Sequence, residues 1–407
     1  MSDSLQIPLA ERPSPRQQKR RREQLLIVLT VATVVAAWFI GFFTGGTDVA
    51  PLVAELIPGT ARVSNDGGVF SAENSDGVLL GYAALGSAPG YGGPIEMLVA
   101  VDPAGDIIAT QVVAERESPG FFRLVRNSEL VTGYAGQPIT AQLALGEDLD
   151  AVSGATVSSE GVAAAVRAAT RQVADDALGV SLPAESRPIK FGWPEIILLL
   201  LFVTGYLTHK WRNRVWKKRA RWGTLIAGMI FLGFVYTVPL TITMVISLLS
   251  GYWPDWHNNL YWYLLIGGII FVTTVDAKNP YCSWFCPFGA FQECVAAVSK
   301  AKLYRPREWS TRLKWVQRGL ALTAIVLGLA LRRPGVASYE PFATLFDLRG
   351  TAIQWIFLIL IALASLVSYR PFCNYLCPLD PVVDFIAALR RWLKESWTTW
   401  RKQTSNA

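Results

Sequence analysis

The chain has 407 residues, 52% of them hydrophobic and only 17% charged, which is more apolar than an ordinary soluble protein of this length. Its net charge of +7 is unevenly spread: residues 50–185 hold 6 Lys/Arg against 17 Asp/Glu, a balance of −11, and the remainder carries +18. The basic total therefore averages an acidic domain with basic loops, and no nucleic-acid partner is expected.

A basic leader, residues 1–24, contains Arg16, Lys19, Arg20, Arg21 and Arg22 and precedes an apolar run over 25–43. That run is long enough to cross a hydrocarbon layer of about 30 Å, which takes roughly 20 helical residues. It is longer than a signal-peptide core and lacks a small-x-small site, so an uncleaved anchor in membrane lipid is expected. Residues 50–185 then read as one α+β domain. Strand-like runs at 78–84, 95–101 and 107–114 alternate with turns such as Ala88-Pro89-Gly90 and Asp102-Pro103-Ala104-Gly105-Asp106. A helix is predicted over 159–177, where Val162, Val166, Ala169 and Val173 share one face.

Five more apolar runs follow, at 192–208, 222–250, 260–275, 315–331 and 352–369. The run over 222–250 is overlong and contains Pro239, which predicts a kink or an early exit. Lys and Arg crowd the leader, residues 210–221, residues 300–314 and the tail, whereas residues 251–259 have none. This asymmetry predicts six spans with both termini inside and residues 50–185 exported. The expected architecture is a polytopic α-helical membrane protein with an exported α+β domain between spans 1 and 2. Residues 190–380 form its membrane domain, and residues 381–407 form a basic inner tail, helical over 382–402.

Two motifs carry chemistry. Ser153-Gly154-Ala155-Thr156-Val157-Ser158-Ser159 stands at the entry of the predicted helix, where free backbone N–H groups and the positive dipole end suit a phosphate. The bland reading is a polar cap without a ligand. The second motif, Cys-x-x-x-Cys-Pro, occurs twice, at Cys282/Cys286/Pro287 and Cys373/Cys377/Pro378, each time after an apolar run. Paired thiolates suit an iron–sulfur cluster, zinc or copper(I), and the bland reading is two inert buried pairs. No cysteine precedes Cys282, so the exported domain has no disulfide, and all five thiols lie on the side expected to be reducing. Cys294 reads as an unpaired core cysteine. Of the two histidines, His257 reads as a solvated loop residue, with contact to a quinone headgroup the alternative, and His209 lies at a helix end.

Asp150-x-x-Ser153-Gly154-Ala155-Thr156-x-x-Ser159 resembles the flavinylation motif of the FMN-binding domain family. That domain occurs in the C subunit of sodium-pumping NADH:quinone reductase, the G subunit of the Rnf complex and NosR/NirI-type membrane flavoproteins. Gly90-Tyr91-Gly92-Gly93-Pro94-Ile95, with Val99 to Asp102, resembles the family's Gly-Tyr-x-Gly-x-Ile strand. Glu117-Ser118-Pro119-Gly120 resembles its Glu-Thr-Pro-Gly turn, although Arg116 stands where relatives often carry His. The resemblance implies FMN joined through its phosphate to Thr156 by a separate flavin transferase. Ser153, Gly154, Ala155, Ser159, Asp150, Glu117, Gly120 and Gly93 are then the surrounding cofactor-binding residues.

The duplicated cysteine motif resembles the membrane part of NosR/NirI and NapH-type proteins, and its pairing with an exported FMN domain resembles short PceC-like members. This implies an iron–sulfur cluster on Cys282, Cys286, Cys373 and Cys377, with [4Fe-4S] preferred and [2Fe-2S] the alternative. Longer NosR proteins end in a domain with two ferredoxin-type clusters, whereas this sequence stops at Ala407; a cytoplasmic electron donor or a quinone is therefore expected. The expected function is electron transfer between an inner-side cluster and FMN on the exported side of a bacterial inner membrane. An exported redox acceptor, a respiratory reductase or its maturation system, would receive the electrons. A redox-sensing regulator and a membrane anchor with a structural zinc site are the other classes. With both centres at the surfaces of a layer about 30 Å thick, a quinone, a partner, or a flavin domain tucked between helices would have to bridge them.

Overall fold

The computed structural model describes residues 15–44, 48–90, 93–117, 119–145, 152, 156–183, 189, 191–209, 211–254, 256–257, 259–276, 281–299, 307–337, 339–348 and 350–405. The first element, α1 (Pro15–Thr44), is basic at its start and then apolar, and leaves large side chains such as Phe39 and Phe43 exposed. After a short helix α2 (Ala50–Leu56) come β1 (Arg62–Asp66), β2 (Val69–Glu73), β3 (Leu79–Pro89), β4 (Pro94–Val101) and β5 (Ile107–Glu115). They form one antiparallel sheet in chain order. Next come α3 (Pro119–Arg126) and α4 (Thr156–Val173), which continues as a π-helical turn, Ala174–Leu178.

The period-2 alternation of β4 explains how this domain buries both sheet faces. Met97, Val99 and Val101 pack toward α4, and Leu98 and Ala100 pack toward α2. The apolar stripe of α4 is fully buried, with Val162, Val166, Ala169 and Val173 all at 0% exposure. Gly86 sets the approach of α4 to β3, because a Cβ there would run into the Ala165 carbonyl oxygen. The sequence reading begins its strands at residue 78; the structure adds the hairpin β1–β2, turned at Gly67-Gly68, whose strands are too short and polar to stand out. Helix α4 also starts three residues before the expected 159, because Ser158 and Ser159 are buried within its first turn.

The remaining helices are α5 (Trp193–His209), α6 (Arg214–Ala227) with a π-helical extension Gly228–Val235, α7 (Ile242–Ser250) and α8 (Leu260–Asp276). They are followed by α9 (Pro287–Val298), α10 (Arg307–Ala330), α11 (Phe342–Phe346), α12 (Ala352–Val367), α13 (Pro371–Tyr375) and α14 (Leu379–Ser405). Among the described residues, two helical stretches, Arg20–Phe43 and Ser310–Ala330, are long and apolar enough to cross a membrane. Three more are apolar but shorter, Trp193–Thr208, Leu260–Val275 and Ala352–Val367. At 1.5 Å per residue α8 and α12 reach only about 24–26 Å, less than the ~30 Å hydrocarbon layer. The run over 222–250 is interrupted at Pro239: residues 236–241 are non-helical and Thr237 is left-handed, with φ 49°. One end of the bundle is basic, with Arg214, Lys217 and Lys218 on α6 and Arg390, Arg391 and Lys394 on α14. The other end carries Gly251 and Tyr252, against which the α+β domain packs through Arg116.

Candidate functional site

The two Cys-x-x-x-Cys-Pro copies repeat their local geometry as well as their sequence. The Cys286 amide donates to the Tyr281 carbonyl at 2.8 Å, and the Cys377 amide donates to the Phe372 carbonyl at 2.8 Å. Each loop thus makes one wide turn that presents both sulfurs of its pair, and Pro287 then opens α9 at a position where no amide is needed. The turns are folded into the bundle. Phe288 packs edge-on against Phe372 with 5.1 Å between ring centroids, and Phe342 of α11 covers both rings.

All four thiols, Cys282, Cys286, Cys373 and Cys377, line one cavity of about 220 Å³, together with Arg370, Phe288 and Asp380. None of the five cysteines forms a disulfide. Among the described residues no group of three or more His, Cys, Asp or Glu side chains is arranged to hold a metal ion. Burial pushes every one of these thiols up, Cys373 to about 12 with the Cys286 charge adding to the effect. Loading a metal cluster here therefore releases protons.

A polar shell holds the cavity in shape. Gln317 of α10 donates through Nε2 to the carbonyls of Cys373 (3.2 Å) and Cys377 (2.9 Å). Gln292, fully buried, donates to Cys373 Sγ at 3.1 Å and accepts from the Phe372 amide at 2.9 Å. Arg370, left-handed with φ 51°, donates to the Cys282 carbonyl at 2.7 Å and pairs with Glu293 at 2.7 Å. Glu293 also pairs with Arg221 and accepts from Tyr369; despite burial, these partners hold its carboxyl below the usual range. Arg221 and Arg370 together exceed Glu293 by one charge, and the carboxylate of Asp380, which also lines the cavity, offsets it. Sequence reasoning missed this shell, because Gln292, Glu293 and Gln317 read as ordinary helix positions.

In the α+β domain the flavin motifs converge. A Cβ on Gly90 would strike the Glu117 carboxylate, one on Gly93 would strike the Arg116 carbonyl, and one on Gly161 of α4 would lie 3.2 Å from Gly90 Cα. Glu117 is 2% exposed, and Ser159 Oγ accepts from the Val152 amide at 3.2 Å, tying the loop ahead of α4 to its first turn. Thr156 is the first residue of α4, and Gly120 lies at the start of α3. Asp150, Ser153, Gly154 and Ala155, and the Thr156 side chain, lie outside the described residues.

These motifs face the bundle. A cavity of about 500 Å³ is lined on one side by Gly90, Gly93 and Val157 and on the other by Tyr236, Val238 and Tyr261. Its volume is that of an ordinary cofactor pocket. Arg116, where relatives often carry His, serves the docking: its guanidinium lies 4.8 Å from the Tyr252 ring centroid and 3.4 Å from Glu96. Arg332 approaches the same ring at 5.3 Å. His257 lies against Trp256 with ring centroids 3.9 Å apart and planes tilted by 36°, and Cys294 lies on α9 outside the thiol cavity.

Residues 90–171 match the FMN-binding domain, and residues 258–306 and 352–395 match the 4Fe-4S binding domain. The chain is 25% identical over 231 residues to the regulatory protein NosR of Stutzerimonas stutzeri, covering 52% of this chain and 31% of that protein. It is 28% identical over 216 residues to the protein NirI of Paracoccus denitrificans, covering 49% and 31%. The chain is thus similar to NosR and NirI and contains matches to an FMN-binding and a 4Fe-4S binding domain. The two matched domains support FMN and an iron–sulfur cluster as its cofactors. The chain spans about a third of the length of these NosR and NirI relatives. Its FMN-binding part is also similar to the G subunit of the ion-translocating oxidoreductase complex of Methanosarcina acetivorans, 28% identical over 134 residues, covering 31% of this chain and 71% of that protein.

Proposed function

We propose that this NosR/NirI-type chain is a multi-pass protein of a bacterial inner membrane. It moves electrons between a [4Fe-4S] cluster on Cys282, Cys286, Cys373 and Cys377 and an FMN esterified through its phosphate to Thr156. The observation that carries this reading is the thiol cavity: four cysteines from two distant loops share one space, beside the buried Arg370–Glu293 pair. Gly93, Glu117 and Gly120 would shape the flavin seat, with Asp150, Ser153, Gly154, Ala155 and Ser159 around the attachment point.

Six spans with both termini inside put the FMN domain on the outer face and the basic bundle end in the cytoplasm, in keeping with the positive charge on α6 and α14. A flavin transferase attaches the FMN, a cytoplasmic donor or a quinone supplies electrons, and an exported respiratory reductase or its maturation system takes them. A relative bearing the name regulatory protein also favours a second reading, redox sensing; electron flow across proteoliposomes that stops in Cys373→Ala separates the two.

The test is iron, sulfide and EPR analysis of the anaerobically purified full chain, with in-gel flavin fluorescence. Wild type should carry iron, sulfide and a fluorescent band; Cys373→Ala should lose the first two, and Thr156→Ala should lose the band alone. Zinc in place of iron, or a fluorescent Thr156→Ala band, overturns the assignment.

A further inference from the structure

We propose that the unwound segment over residues 236–241 is the electron bridge between the two cavities, with Tyr261 as its contact on the flavin side and Tyr281 on the cluster side. This deepens the reading above and rests on it.

A break in a helix of an apolar bundle strands backbone groups that only the surrounding protein can satisfy. Here two tyrosine hydroxyls do so. The Leu240 amide donates to Tyr281 Oη at 2.8 Å, and Tyr261 Oη donates to the Val238 carbonyl at 3.3 Å. The segment does not take this shape by local preference: Thr237 is β-branched yet sits at φ 49°, a conformation that such residues avoid. Backbone held in a disfavoured region by its surroundings is a feature of functional sites.

The segment has two faces. Tyr236 and Val238, with Tyr261, form the bundle wall of the 500 Å³ cavity opposite Gly90, Gly93 and Val157. On the other face Leu240 meets Tyr281, which is 1% exposed and peptide-bonded to Cys282. From the wall of the flavin cavity to a cluster ligand the route is one short stretch of backbone, one hydrogen bond and one buried side chain. No diffusing quinone is needed. Each passage would carry one electron between the centres; the donor named above would re-reduce the cluster after the first, and two passages with two protons from solvent would complete the flavin's two-electron change. The bland alternative is that both tyrosines only cap the broken helix.

The experiment uses the full chain carrying both cofactors in quinone-free detergent. Pulse radiolysis injects electrons, and re-equilibration between the centres is followed by flavin absorbance and freeze-quench EPR. Wild type should re-equilibrate without added quinone. Tyr281→Phe, which keeps the ring and drops the hydroxyl, should slow this, with iron, sulfide, EPR line shape and flavin fluorescence unchanged. Tyr261→Phe should slow it too, and it carries the test alone if Tyr281→Phe does not fold. Unchanged rates in both variants, a requirement for added quinone, or a slower rate accompanied by lost iron or an altered line shape would each overturn the bridge. Failure of the underlying reading shows separately, as missing iron or missing fluorescence in wild type.

Discussion

Glu340 is the residue whose burial is hardest to reconcile with a charge. It is 8% exposed, and its Oε2 accepts from the Ile242 amide at 2.9 Å while Oε1 has no hydrogen-bond partner among the described residues. Desolvation pushes its carboxyl from 4.5 up to about 8. The folded chain therefore holds this proton more tightly than the unfolded one. The corresponding stability is complete below pH 4.5 and is lost as pH rises through about 8. Glu340→Gln keeps an acceptor for Ile242 and removes the titration. Its thermal unfolding midpoint should coincide with wild type near pH 4.5 and exceed it at pH 8, by less than the roughly 2–4 °C per kcal/mol of a 150–250-residue domain. Equal midpoints at pH 8 would mean that the carboxyl ionises freely in the fold.

Among the elements, α4 joins the fold to the chemistry, because the same helix buries its apolar stripe in the domain core and begins at Thr156. Its position depends on the glycine contact with β3. Gly86→Ala should push α4 off the sheet and cost about 1–3 kcal/mol, the usual penalty for overpacking, read as a lower unfolding midpoint of the full chain. The flavin seat should loosen with it, because Gly161 of α4 touches Gly90. The stripe of α4 was legible in the sequence, since 3.6-residue periodicity is a local signal. The depth of the cysteine turns was not: both motifs follow apolar runs, but only the short α8 and α12 and the covering Phe342 show that the turns fold inward.

For the whole molecule, the decisive relation is the docking of the α+β domain on the bundle, which closes the flavin cavity. Tyr252 stands between Arg116 of the domain and Arg332 of the bundle. Arg116→Ala should undock the domain, seen as faster hydrogen exchange around residues 251–254, while thiol-bound iron stays unchanged. Loss of iron in this variant would show that the two halves fold as one unit.

Composition, apolar runs and charge asymmetry by themselves determined that helices dominate, that an acidic domain interrupts them and that four cysteines form a repeated pair. These are properties of neighbouring residues and of ligand chemistry. Only the tertiary structure decided that the thiols share one cavity, that residues 90, 117 and 161 meet, and that a broken helix lies between the two cavities. Such relations arise from contacts between residues up to hundreds of positions apart, which local propensity and periodicity do not encode.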